Sequence, residues 1–386
     1  MSATLFPQTP RRHRVFGGLT AEQEHVFTWI MVVVVLLYAT AWFRAIHDLF
    51  ERQRAIEVQA REAGVKPPPP VPPAPTTQLT SAILSPAADS NVFITDAMLS
   101  FLNPLRGQSG KVYFTTPTPG SRVATGPPTG SEAVFTGDEG TMASPTFTAP
   151  AEPGIYQLAV QLQQASRTIQ DFSVITLVPF SEKVGGRIGM YYLGKWPFEG
   201  GGTPKTPAYQ NPSGFIEVTP DDADTPVSAH FKLRDFLTKD QPNVWPKYLL
   251  LKPNLVDKLE LTIAELEAMG HDVRHVTIMS GFRTPNYNVS GGNTVGRASL
   301  SRHMYGDASD IFIDNDRNGV MDDLNGDGRV DARDAEVILA AVERVERDHP
   351  SLVGGVGVYS ACCGHGPFTH IDVRGYRARW RGNGNG

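Results

Sequence analysis

Between residues 67 and 75, seven of nine residues are proline, in the stretch "PPPPVPPAP". Proline fixes φ and donates no backbone hydrogen bond, so this stretch belongs in neither a helix interior nor a sheet. The sequence predicts an extended, semi-rigid spacer here, with separate folded parts on its two sides. A chain of 386 residues has room for two or three domains. Its 37 glycines and 31 prolines exceed an ordinary globular share and point to linkers and turn-rich β structure. The net charge of −5 sets up no field for nucleic acid, and no nucleic-acid partner is expected.

Ahead of the spacer, residues 26–43 read "VFTWIMVVVVLLYATAWF", without a charge and just long enough to cross a bilayer core. Trp29 and Trp42 sit where interfacial anchors belong. We expect residues 1–25 to precede a single membrane helix at 26–43. Residues 44–90 follow as a charged helix and the proline linker. Arg11, Arg12 and Arg14 before the span are balanced by Arg44, Arg52 and Arg54 after it, so charge alone leaves the orientation open.

After the spacer the pattern changes to short alternating runs such as "KVYFTT", "EAVFTG" and "IYQLAVQLQQ". Over residues 91–178 these predict an all-β, immunoglobulin-like sandwich. Residues 179–227 read as a connector with turns and exposed aromatics. From residue 228 to 381 the pattern is α+β, an antiparallel sheet with helices. The stretches 228–240 and 255–272 read as helices, and Gly270 as the stop of the second. Cys362 and Cys363 are adjacent and badly placed for an unstrained disulfide, so no disulfide framework is expected.

The chemistry centres on "SRHMYGDASDIFID", residues 301–314. A hydrolytic zinc ion typically takes three protein ligands of His and carboxylate type and keeps one position open. His303 in a loop and Asp310 entering an alternating strand supply two of them, with Gly306 and Ala308 letting the loop fold back. The third is expected from a neighbouring strand, where "GPFTHIDVRG" offers His370.

These segments resemble the zinc D-Ala-D-Ala metallopeptidases of the lysostaphin, D-Ala-D-Ala peptidase and hedgehog group. "SRHMYGDASD" matches the group's Ser-x-His-x-x-Gly-x-Ala-x-Asp motif. "SGFRTPNYN" matches its Ser-Gly-aromatic-Arg segment, and "GGVGVY" with "FTHIDVRGYRARW" its closing strands. The resemblance spans residues 228–381. It implies His303, Asp310 and His370 as zinc ligands, Arg283 as a clamp for a peptide carboxylate, and Ser301 as a substrate contact. Many relatives carry an acid three residues before the last ligand, where this chain has Pro367. Asp372, His365 and Asp307 remain as alternatives for the general base. The implied reaction is metal-assisted hydrolysis of peptidoglycan peptides, at a D,D- or L,D-type terminus or crosslink. That substrate lies outside the cytoplasmic membrane. The implied location is therefore the bacterial inner membrane, N-terminus inside, with the catalytic domain periplasmic or extracellular. The alternative is a catalytically inactive, zinc-stabilised module that binds peptidoglycan.

An acidic insertion, residues 314–334, carries calcium-loop spacing: Asp323, Asn325, Asp327, Asp331 and Asp334, with Gly328 at the sixth place and the Arg329 carbonyl at the seventh. A structural Ca2+ is expected there. Asp314, Asp316, Asn318 and Asp322 form an earlier, poorer loop without an acidic twelfth residue.

Overall fold

The computed structural model describes residues 94–382, apart from 124, 125, 293, 295, 296 and 363. The expected membrane span, charged helix and proline spacer lie outside the described residues. Among the described residues no helix is long and apolar enough to cross a membrane. The architecture is mixed α+β, with several sheets.

The first sheet contains β1 (Phe114–Thr115), β2 (Ser131–Gly137), β3 (Gly140–Ser144), β4 (Gly154–Leu162) and β5 (Ala165–Thr176), in the order β1-β5-β4-β2-β3. Alternation decides its faces: in β2, Ala133 and Phe135 are buried while Glu132 and Thr136 are exposed. The opposing layer contains no second sheet among the described residues. It consists of the Arg122–Thr148 bridge and the 3-10 segment Asp96–Arg106, which contributes Leu102 to the core. Phe101 packs edge-on to Phe147 across this core, centroids 5.4 Å apart. Pro127, Pro128, Pro145 and Pro150 interrupt this layer, and a residue without a backbone N–H cannot extend a ladder.

The expected connector is a packed part of the molecule. β6 (Val178–Pro179) leads through a hairpin of β7 (Arg187–Ile188) and β8 (Tyr191–Tyr192) to β9 (Gly214–Val218). β10 (Lys247–Leu249) completes a sheet of order β10-β9-β6. The aromatics expected to be exposed include Tyr191, Trp196 and Phe215, all at most 2% exposed and part of the main core. The Trp196 indole donates to the Met304 carbonyl at 2.9 Å and so ties this region to the His303 loop.

Residues 228–240 do not form the expected helix; they hold only the 3-10 turn Leu233–Phe236. Side chains compete for the backbone there: the Ser228 hydroxyl accepts from Phe231 N–H and Asp235 from Lys232 N–H. The second expected helix forms as α1 (Pro253–Ala268), ending just before Gly270. β11 (Val276–Ser280) and the short α2 (Pro285–Ser290) follow. Next come β12 (Ala308–Ile313), α3 (Ala332–Asp348), β13 (Gly355–Tyr359), β14 (Phe368–Asp372) and β15 (Ala378–Gly382). The sheet order is β11-β12-β14-β13-β15, antiparallel except for the β13–β15 pair. Beneath it α1 and α3 are joined by a fully buried ion pair, Lys258 Nζ to Glu346 Oε1 at 2.7 Å.

Candidate metal centre

Strand register builds the site. Asp310 on β12 pairs directly with His370 on β14, so both side chains leave the same face of the sheet. On the other side of β12, Ser280 pairs with Asp310 after a register irregularity that follows Ile278. That irregularity turns the Gly281 carbonyl toward the site. A side chain at Gly281 would collide with the Phe236 backbone, 2.6 Å from its Cβ position. The histidine loop is a 3-10 turn, Arg302–Tyr305, closed by Gly306 in the left-handed region at φ +67°. A Cβ there would lie 2.4 Å from the Leu250 carbonyl carbon, so the expected small residue is required.

These elements bring His303, Asp310 and His370 together, all at most 7% exposed. His303 Nε2 lies 3.2 Å from Asp310 Oδ1 and 3.1 Å from His370 Nδ1; His370 Nδ1 lies 2.8 Å from Asp310 Oδ1. The outer nitrogens fix the tautomers. His303 Nδ1 is 2.7 Å from the Gly281 carbonyl, which only accepts, so Nδ1 carries the proton. His370 Nε2 is 3.2 Å from Asp372 Oδ2 and carries its proton there. With His370 neutral, two imidazole lone pairs and a carboxylate oxygen are left facing one another. Three acceptors at this range repel unless a metal ion, or the extra proton of a charged His370, lies among them. A tetrahedral ion with bonds of about 2.0–2.1 Å spaces its ligand atoms about 3.3 Å apart, close to what is seen. The buried His-Asp-His group can hold a metal ion.

The electrostatics of His303 and Asp310 suit a metal, whereas those of His370 favour its protonated form, whose extra proton a metal would have to displace. Burial, reinforced by the Arg283 charge, lowers the His303 pKa to about 4, which keeps its ligand nitrogen unprotonated at neutral pH. Burial alone would raise Asp310, but His303 and Arg283 outweigh it and hold the carboxyl well below its ordinary value. Burial would likewise lower His370, yet its hydrogen bonds to Asp310 and Asp372 prevail and raise it.

The centre opens into a cleft of about 440 Å³ lined by Arg283, Arg297, Ser301, Arg302, Tyr359, Phe368, Arg374 and Trp380, among others. Arg283 is braced by Ser280 Oγ at 2.7 Å and by Asp310. Ser301 lines the cleft beside His303. The three residues weighed as general base are not among those lining the cleft. Asp372 lies behind His370, also accepting from Gly355 N–H at 2.7 Å and from Arg374. Asp307 is tied to Arg302 and to Lys252 Nζ at 2.9 Å. His365 does not line the cleft; its Nδ1 is 2.7 Å from the Gly366 carbonyl, in a turn closed through Cys362. Cys362 is disulfide-bonded, contrary to expectation.

In the acidic insertion, the carboxylates that come within 4.8 Å of one another are Asp314, Asp316 and Asp322, from the earlier loop rated poorer by sequence. In the later loop Asp323 accepts from Gly326 and Gly328 N–H, and Asp327 and Asp331 share the Arg333 guanidinium. The Arg329 N–H donates to Asp327, and Asn325 accepts from Asp327 N–H. Asp334 is buried and caps the start of α3 through Asp331 N–H, while also accepting from Leu324 and Asn325.

Sequence reasoning missed Arg297, Tyr359 and Trp380 as cleft residues. Trp380 lies 5.2 Å from the His370 ring and donates to the Tyr359 hydroxyl at 2.7 Å. The "YRARW" segment signalled a closing strand, but not that its tryptophan walls the site. No family model, no curated protein and no solved structure matches this chain.

Proposed function

We propose that the chain is a membrane-anchored zinc metallopeptidase that hydrolyses peptide bonds in peptidoglycan stem peptides or crosslinks. One observation carries this reading: two imidazoles and a carboxylate converge, with fixed tautomers, at the foot of an arginine-lined cleft. When bound there, zinc supplies Lewis acidity toward a scissile carbonyl. The chain's own residues do the rest. Arg283, held from behind by Ser280 and Asp310, presents its remaining donors to a substrate carboxylate. Ser301 adds a hydroxyl beside it, and Tyr359, Phe368 and Trp380 keep water from one wall. Because the substrate is outside the cytoplasmic membrane, residues 26–43 serve as the anchor, with the N-terminus inside. The acidic insertion takes a structural calcium ion, and a calcium chelator that spares zinc is expected to lower the melting temperature.

The test is incubation of the purified protein with muropeptides, read by mass spectrometry. Cleavage by the zinc-loaded protein and none by His303→Ala is expected; equal cleavage by both overturns the proposal. A second reading, a zinc-stabilised module that binds peptidoglycan without cutting it, is favoured by the cleft's lining. Among the described residues Asp310 is the one carboxylate there, and Pro367 stands where relatives carry an acid. Tight binding of muropeptides that stay intact would select it.

A further inference from the structure

Four arginines line the cleft, and three are matched by carboxylates. Arg283 pairs with Asp310, Arg302 with Asp307 and Arg374 with Asp372. Arg297 has no carboxylate partner among the described residues. Its Nη1 donates to the Tyr287 carbonyl at 2.8 Å, and its guanidinium stacks over the Tyr287 ring, 5.2 Å from the centroid. Both contacts hold the group in place without neutralising it. Tyr287 belongs to α2, which begins two residues after Arg283 in the chain. Burial lowers the Arg297 pKa, and repulsion from Arg283 adds to that. Lys239 adds a third positive charge within electrostatic reach of Asp310 and Arg283. A partly buried cation held in place by a ring and a carbonyl is suited to an anion arriving from the cleft.

We propose that Arg297 is a specificity-determining residue that selects substrates with a second carboxylate, on the side chain of the residue whose terminal carboxylate Arg283 receives. This rests on the peptidase reading for the terminal carboxylate. It adds the substrate class, peptides ending in a dicarboxylic amino acid. The amide counterpart loses the charge-assisted hydrogen bond to Arg297 and leaves that guanidinium unmatched.

The test uses the full-length, zinc-loaded protein and direct binding by calorimetry. The probes are N-acetyl-alanyl-glutamate and N-acetyl-alanyl-glutamine, each with either L or D configuration at the last residue. Wild type is expected to bind the glutamate probe of the preferred configuration about ten-fold or more tightly than its glutamine partner. In Arg297→Gln that ratio falls to near one, and in Arg297→Lys it is partly kept. An unchanged ratio in Arg297→Gln, or no preference or no binding in wild type, overturns the proposal. The readout is affinity, so a preference for the glutamate probe in a protein that cleaves no muropeptide would refute hydrolysis and leave the role of Arg297 standing.

Discussion

The Asp372 carboxylate sits 3.2 Å from His370 Nε2, on the opposite side of the ring from His303 and Asp310. It therefore orients the imidazole and keeps its proton on the outer nitrogen. The carboxylate is itself anchored by Gly355 N–H and Arg374, so the His370 ring is aimed by a rigid support. Asp372→Ala is expected to weaken zinc binding about 10–100-fold, measured by competition with a chelator of known affinity. An unchanged affinity would show that the outer hydrogen bond does not aim the ligand.

In the metal-free protein, stability should fall in acid. The folded His303 has its pKa lowered to about 4, while an unfolded histidine titrates near 6.5. Between those values the unfolded chain binds a proton that the folded chain refuses, so stability drops as pH falls from about 6.5 to 4. The loss is on the order of 3 kcal/mol. His370 has a raised pKa, so its contribution is full below about 6.5 and is lost as pH rises through its folded value. Asp310 and Asp372 are depressed, and their contributions disappear only below about pH 4. Denaturant titrations at pH 7 and 4.5 measure the window, and His303→Gln should flatten it.

The Lys258–Glu346 pair lies under the sheet, and Lys258 Nζ also donates to the Asp372 carbonyl at 2.8 Å. Removing one partner leaves a buried charge unmatched. Lys258→Met should cost about 3–5 kcal/mol in denaturant unfolding. The double variant Lys258→Met/Glu346→Leu should lose less than the sum of the two single variants. Additive losses would mean the two charges do not depend on one another.

Gly306→Ala should destabilise the protein by about 1–3 kcal/mol. Its φ of +67° and the 2.4 Å approach to Leu250 leave no room for a methyl group. The turn it closes carries His303, so zinc affinity should fall with stability. A variant with wild-type melting and zinc affinity would show that the loop tolerates a different path.

How much of this was legible in the sequence depended on whether the signal was local. His303, Asp310 and His370 were readable because a turn glycine, a strand alternation and a second strand histidine set them up within short segments. The helix α1 was readable from its apolar spacing. Residues 228–240 were misread because Ser228 and Asp235 capture backbone N–H groups, which periodicity does not register. Trp196 and Phe215 read as exposed because turns surround them; their burial comes from packing against distant strands. Asp372 was one of three open choices for the general base, and its contact with His370 Nε2 shows which side of the ring it occupies. Arg297 carried no local pattern at all, since its place in the cleft comes from its contact with Tyr287.

The central claim is that His303, Asp310 and His370 share one metal ion, and zinc-edge X-ray absorption on the full-length protein addresses it directly. The expected result is one zinc per chain with two imidazole nitrogens and oxygen neighbours, and loss of that shell in His370→Ala. Zinc held by sulfur, or the same shell surviving in His370→Ala, would contradict it.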